Sequence, residues 1–431
     1  MKTSRGFKLP LFVQVLLGVT LGALLGAVFR TRPIILGAGN EQLGELGMLV
    51  IRLLKALAVP LVLFAIVDAF LKTKLTPRGG ARLLVICAVN VTVAFTIGLT
   101  LMNVLRPGDG SRAAFQVLQA EGKVAPLSTL SPDTLTPLNA LKGAVPESVL
   151  EPFVKNSLIP VVLLALLFGA ALRTLKDTPG AADLAPFEAL VHAGLQALVV
   201  VLGWVVKVVP LAVLGLVAQV VGRAGLEVFA ALAPFLGIVL LGLGLHALGY
   251  YPLAAWLVAG RSPRQFLSGA ADAVLTGLST NSSLATVPVT LRCLKEKLGV
   301  SDASARLAAC VGTNLNNDGI TLYEAMAALF IAQALGLELT LAQQAAVVFA
   351  SLMAGIGIAG IPEAGLVTLP LVLGAMGLPP AMVGVALAFV LPVDWVLARV
   401  RSGVNVLSDI TVAVLLDGRD GVPDAAVAAL E

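Results

Sequence analysis

Long apolar runs constrain this chain more than any other feature. They fall near residues 9–30, 46–71, 83–104, 155–173, 187–220, 226–258, 304–336, 342–373 and 376–416, and several exceed the roughly 20 residues that carry a helix across about 30 Å of hydrocarbon. Only 13% of the residues are charged and 58% are hydrophobic, against about a quarter charged in soluble domains. The reading is an all-α polytopic membrane protein. Its opening, MKTSRGFK followed by LPLFVQVLLGVTLGALLGAVF, has an apolar run too long for a signal-peptide core and reads as the first span.

Charge placement supplies orientation. Lys2, Arg5 and Lys8 precede the first run, Lys72, Lys74, Arg78 and Arg82 follow the second, Arg173 and Lys176 the fourth, and Arg261 and Arg264 the sixth. With the N terminus inside, all four clusters lie inside, as the positive-inside rule asks. The net charge of +4 therefore reflects membrane topology, and a nucleic-acid partner is not expected. Cys87, Cys293 and Cys310 show no C-x-x-C spacing, which implies neither a disulfide scaffold nor a metal site. Residues 105–154 are too polar and proline-rich for one simple span.

Two stretches interrupt the span pattern: LTGLSTNSSLATVPVTLRC, from Leu275 to Cys293, and GIGIAGIPEAGLVTLPLVL, from Gly355 to Leu373. Non-helical backbone at membrane depth is tolerated only where protein or a cavity surrounds it, so both read as re-entrant hairpins. Their tips would offer N–H groups to an anion or carbonyls to a cation. Each is followed by an Asn/Asp interruption, VGTNLNNDGITLYEA after the first and VNVLSDIT after the second. A hairpin plus a broken span, occurring twice, is the pattern of inverted repeats around a midplane site.

The polar residues then group. In NNDG, residues 316–319, Asp318 between amides offers hard oxygen ligands to a small cation, with a polar surface joint as the alternative. In the last run Arg401, Asn405 and Asp409 recur every four residues and share one helical face, leaving the rest of that run for lipid. A charge at the bilayer centre costs at least about 2.5 kcal/mol, so this stripe should face protein or water. Arg401 and Asp409 are about 12 Å apart along a straight helix and cannot pair. Arg401 is thus expected to be free for an anion, with helix packing as the alternative. Arg399 points about 200° away and needs another partner. His192 and His246 show no convergent metal-ligand pattern, and Ser279, Ser282 and Ser283 have no neighbouring histidine base, so an enzyme is not expected.

With these motifs in view, STNSSLATVPVT, NLNNDGITLY, AGIPEAG and DWVLARVRSGVNVLSD, the sequence resembles the dicarboxylate/amino acid:cation symporters, the glutamate-transporter family, over nearly its whole length. The resemblance implies eight transmembrane helices plus two re-entrant helical hairpins in inverted repeats, a homotrimer, and elevator-type secondary transport. It divides the chain into a first scaffold part (1–74, helices 1 and 2), a transport helix (75–108) and a stretch holding scaffold and trimerisation helices 4 and 5 with transport helix 6 (109–258). The transport core, 259–431, holds hairpin 1, helix 7, hairpin 2 and helix 8. Localisation would be multi-pass in the cell membrane, the inner one where a cell has two.

The same resemblance places the sodium-coordinating set on Gly312, Asn316, Asp318, Asn405 and Asp409, with protons as the alternative co-transported ion. Substrate contacts fall on Ser282, Ser283, Ile361, Arg401, Ser402 and Asn405, with Gly360 and Pro362 beside Ile361 at the second tip. Ala398 stands where the family usually places an aspartate that receives the substrate ammonium. Ile320 replaces the threonine of the usual NMDGT signature and Asn317 its methionine. Asn90 and Val91 stand where hydroxyl residues of a third cation site are usual. The missing ammonium partner and the retained Arg401 make a small anionic substrate, a C4-dicarboxylate, the expectation. An acidic or neutral amino acid symporter and a passive anion channel are the alternatives.

Overall fold

The structure, a computed structural model, describes residues 11–35, 37–72, 77–121, 138, 142–143, 145–178, 183–358, 360 and 362–418. It is helical as expected, apart from a two-stranded antiparallel pair, Pro33–Ile35 with Ala38–Gly39. The helices that position the site are α1 (Leu11–Phe29), α2 (Asn40–Lys72), α3 (Pro77–Leu105), α4 (Leu158–Asp177), α5 (Ala185–Ala224), α6 (Glu227–Gly244) and α7 (Tyr251–Ala259). They are followed by α8 (Pro263–Thr280), α9 (Ser283–Arg292), α10 (Asp318–Ala334), α11 (Leu341–Gly357), α12 (Ala364–Ala375) and α13 (Pro380–Asp417). Among the described residues six helical stretches are long and apolar enough to cross a membrane, 40–72, 79–105, 159–177, 185–224, 227–259 and 380–417. The protein is a multi-pass membrane protein.

Helix α5 packs extensively against α1 and α2, and α2 also packs against α4. Gly18, Gly22 and Gly26 of α1 lie directly against the α5 backbone: a Cβ on them would meet the carbonyls of Pro210, Leu214 and Ala218. Small residues every four positions let helices approach closely where lipid supplies no hydrophobic drive. The second half is built around α13, which packs against α8, α10, α7, α6 and α12.

Two expectations are corrected. The last run does not present a lipid face along its polar stretch: every residue from Arg401 to Asp417 is buried, because neighbouring helices surround α13. Nor do Asn405 and Asp409 break it, since α13 runs uninterrupted for 38 residues. The break after the first hairpin is real. Residues 312–317 form a single tight turn and a short irregular joint before α10 starts at Asp318.

Both glycine- and hydroxyl-rich stretches fold as pairs of helices. Helix α8 begins at Pro263, capped by Ser262, whose side chain accepts from Gln265 N–H, and continues through the hydroxyl run. Thr276, Ser279 and Thr280 return their hydroxyls to carbonyls four residues back, at 2.7–2.9 Å, so the hydroxyls do not compete with the helix. The interruption is confined to Asn281, left-handed at φ 52°, and Ser282, which caps α9. In the second pair, α11 starts at a Thr340–Gln343 capping box, and Gly360, Pro362 and Glu363 lie in turns before α12.

Candidate functional site

The two turns meet. Ser282 Oγ donates to Gly360 O at 2.7 Å, Leu284 N–H reaches the same carbonyl at 3.4 Å, and Asn281 Nδ2 donates to Glu363 Oε1 at 3.0 Å. Beneath them lies a cavity of about 10 Å³ lined by Asn281, Ile320, Gly360, Ala364, Gly365, Ala398, Arg401, Ser402 and Asn405, room for about one water in this closed arrangement. Wider clefts beside Lys55 and Pro370 open to solvent and hold none of the buried unpartnered polar atoms that mark this one.

Arg401 is the charged wall of the cavity and is 2% exposed. Contrary to the sequence expectation, it is not without a partner: Nη1 lies 3.1 Å from Asp394 Oδ1, and the guanidinium stacks 3.8 Å over the Tyr323 ring. A carboxylate two turns away is reached because the long Arg401 side chain leans back along the helix toward its N-terminus. The pairing holds the planar fork against Gly365, where a Cβ would overlap it. Arg399, on another face, donates to Trp395 O at 2.6 Å.

Ile320, Ala398, Ser402 and Asn405 all line the cavity with Arg401. Ser402 Oγ is buried without a hydrogen-bond partner. Ser282 and Ser283 stand at the tip instead. Ser282 is occupied by its cap and Gly360, while Ser283 Oγ is buried without a hydrogen-bond partner. Ile361 lies outside the described residues.

A second polar group sits where the broken joint crosses α13. Ser408 Oγ accepts from Asn316 Nδ2 and donates to Asp318 Oδ2 at 2.8 Å. Asn405 Oδ1 accepts Gly319 N–H at 2.8 Å, and the Gly312 carbonyl accepts N–H bonds from Leu315 and Asn316 at 2.8 and 2.7 Å. Asn316 Oδ1, Asp409 Oδ1 and Thr313 Oγ1 are buried without hydrogen-bond partners. Buried polar atoms are normally satisfied, and uncharged and carboxylate oxygens of this kind are the hard donors a small cation takes.

Three residues here escaped the sequence reading. Tyr251 Oη donates to Asp318 Oδ2 at 2.8 Å, His246 Nε2 lies 3.4 Å from the same oxygen, and Tyr250 Oη donates to Asn90 at 2.8 Å. His246 looked isolated because its partner lies 72 positions away. A tyrosine pair beside a histidine in a span was its only available signal.

The model of the sodium:dicarboxylate symporter family matches residues 11–419. The chain is 31% identical to excitatory amino acid transporter 4 of Mus musculus, over 86% of this chain and 76% of that one. It is 31% identical to excitatory amino acid transporter 1 of Bos taurus, over 92% and 81%, and 28% identical to excitatory amino acid transporter 3 of Mus musculus, over 93% and 83%.

Proposed function

The chain belongs to the sodium:dicarboxylate symporter family, whose members are carriers and not enzymes, and on that premise we propose that it is a sodium-coupled secondary transporter of small carboxylate-bearing solutes. The observation that carries this reading is the buried guanidinium of Arg401, held by Asp394 and Tyr323 inside a small cavity capped by two meeting tips. A carboxylate takes the fork, and tip N–H groups and the Ser402 hydroxyl orient the remainder.

Within that class we assign acidic amino acids ahead of C4-dicarboxylates. The similar proteins are named as excitatory amino acid transporters, which favours the first. Ala398, an apolar wall residue in the cavity, keeps dicarboxylates as the second reading. Sodium is the coupling ion in this proposal, at the unpartnered oxygens of Asn316 and Asp409 with Asp318, Asn405 and the Gly312 carbonyl around them. A cation there lowers the cost of the buried carboxylates, and substrate and ion then raise each other's affinity by the same factor.

The architecture proposed with it has eight spans and two re-entrant hairpins in inverted repeats, assembled as a homotrimer. Residues 1–74 and helices 4 and 5 within 109–258 form the scaffold, while 75–108, helix 6 and 259–431 move as an elevator. Uptake of labelled aspartate and succinate into vesicles under imposed sodium or proton gradients tests the proposal. Concentration of either solute driven by sodium supports it. Uptake indifferent to both gradients would turn the reading to a passive anion channel.

A further inference from the structure

Beside the cavity wall, and not lining it, stands the buried carboxyl side chain of Glu363. Glu363 is 3% exposed and left-handed, at φ 57° and ψ 27°, a conformation that costs an L-residue about 1–2 kcal/mol. It directly precedes Ala364 and Gly365 of the cavity wall. Its Oε1 is held by the amide of Asn281, another wall residue, itself left-handed at φ 52°. Burying a carboxylate costs several kcal/mol unless a counter-charge repays it, and a neutral amide repays little. Strain and an expensive charge at one position persist where the site uses them.

The charges around Glu363 are Asp394, Arg399 and Arg401. Asp394 already pairs with Arg401, and Glu324, buried and hydrogen-bonded by Thr368, is a third carboxyl close to Arg401, so buried carboxyls outnumber guanidinium groups here three to two before any solute enters. A solute with one carboxylate on Arg401 and a cationic group toward Glu363 keeps both ends matched. A second carboxylate aimed at Glu363 meets a like charge, which costs several kcal/mol in a desolvated site. Ala398, which lines the cavity, offers no charge of either sign.

We infer that Glu363 is a specificity-determining residue that receives the ammonium group of an amino-acid substrate and disfavours dicarboxylates lacking one. The inference rests on the carrier reading above and names the substrate class of the same cavity.

The test is equilibrium binding of aspartate and of succinate to the purified full-length protein in sodium, with and without Glu363→Gln. Glutamine keeps the shape and an acceptor oxygen for Asn281, so the contact between tips survives and only the charge is removed. Wild-type protein should prefer aspartate. Glu363→Gln should weaken aspartate at least tenfold and leave succinate unchanged or tighter. A preference ratio unchanged by the substitution overturns the inference and leaves Glu363 as a clasp between tips. Wild-type preference for succinate overturns it as well. Wild-type protein that binds neither solute refutes the carrier reading before any substitution is made, which keeps the two failures apart. Titrating the binding-competent fraction with succinate distinguishes a misfolded variant from a selective one.

Discussion

Replacing Arg401 by alanine removes two interactions whose consequences separate. In the empty protein, Asp394 loses its partner at 3.1 Å while staying 2% exposed. An uncompensated buried charge of this kind costs about 3–5 kcal/mol of stability, and the stack on Tyr323 at 3.8 Å contributes up to about 2 kcal/mol more when desolvated. For substrate, truncating a buried charge partner loses about 2–5 kcal/mol, or roughly 30-fold to several thousand-fold in Kd at about 1.4 kcal/mol per tenfold. Adding Asp394→Asn to Arg401→Ala removes the stranded carboxylate and should recover most of the stability without recovering affinity. Arg401→Lys should fall between, since an ammonium cannot present a planar fork. Calorimetric titration in sodium, with melting curves of the empty proteins, reads both effects. If Arg401→Ala binds aspartate and succinate within threefold of wild type, the substrate role assigned to the guanidinium is wrong. If the double variant melts no higher than the single one, the ion pair is not what Asp394 requires.

Further outcomes can be checked independently. Asn316→Ala and Asp409→Asn should each raise the sodium concentration for half-maximal substrate binding at least tenfold, and an unshifted sodium titration would move the ion site elsewhere. Gly365→Ala places a methyl on the Arg401 guanidinium and should cost about 1–3 kcal/mol of binding by overpacking, with the helix content in circular dichroism unchanged. In detergent a small maleimide should label Cys310, which is exposed, well before Cys87 and Cys293, which are buried; equal rates for all three would contradict the packing. A cysteine placed at Lys74 should resist an impermeant label applied outside intact cells, because the basic joints lie inside.

Much of the architecture was legible before any packing was known, because lipid makes span length and charge placement local properties. The runs at 185–224 and 380–417 could be found by counting apolar residues. The joints within the two helix pairs were visible from glycine, proline and asparagine at 281 and 355–363, although the hydroxyl run misplaced where the first pair of helices begins. Those hydroxyls bond to their own helix, and composition does not distinguish that from a break. The glycine ladder at 18, 22 and 26 is equally readable in the sequence as a helix contact.

Helical periodicity placed Arg401, Asn405 and Asp409 on one stripe, and it holds in α13. What surrounds that stripe was decided by tertiary structure alone. Asp394 and Arg401 pair because their side chains reach along the helix, a matter of rotamer and not of spacing. Tyr251 and His246 reach Asp318 across 67 and 72 positions, and the hairpin tips join across 78 and 82. Sequence determines such contacts only through the packing of whole helices, whose mutual placement leaves no periodic mark. Residue types and spacing therefore announced a polar site inside a membrane, and the fold alone chose which charges meet there.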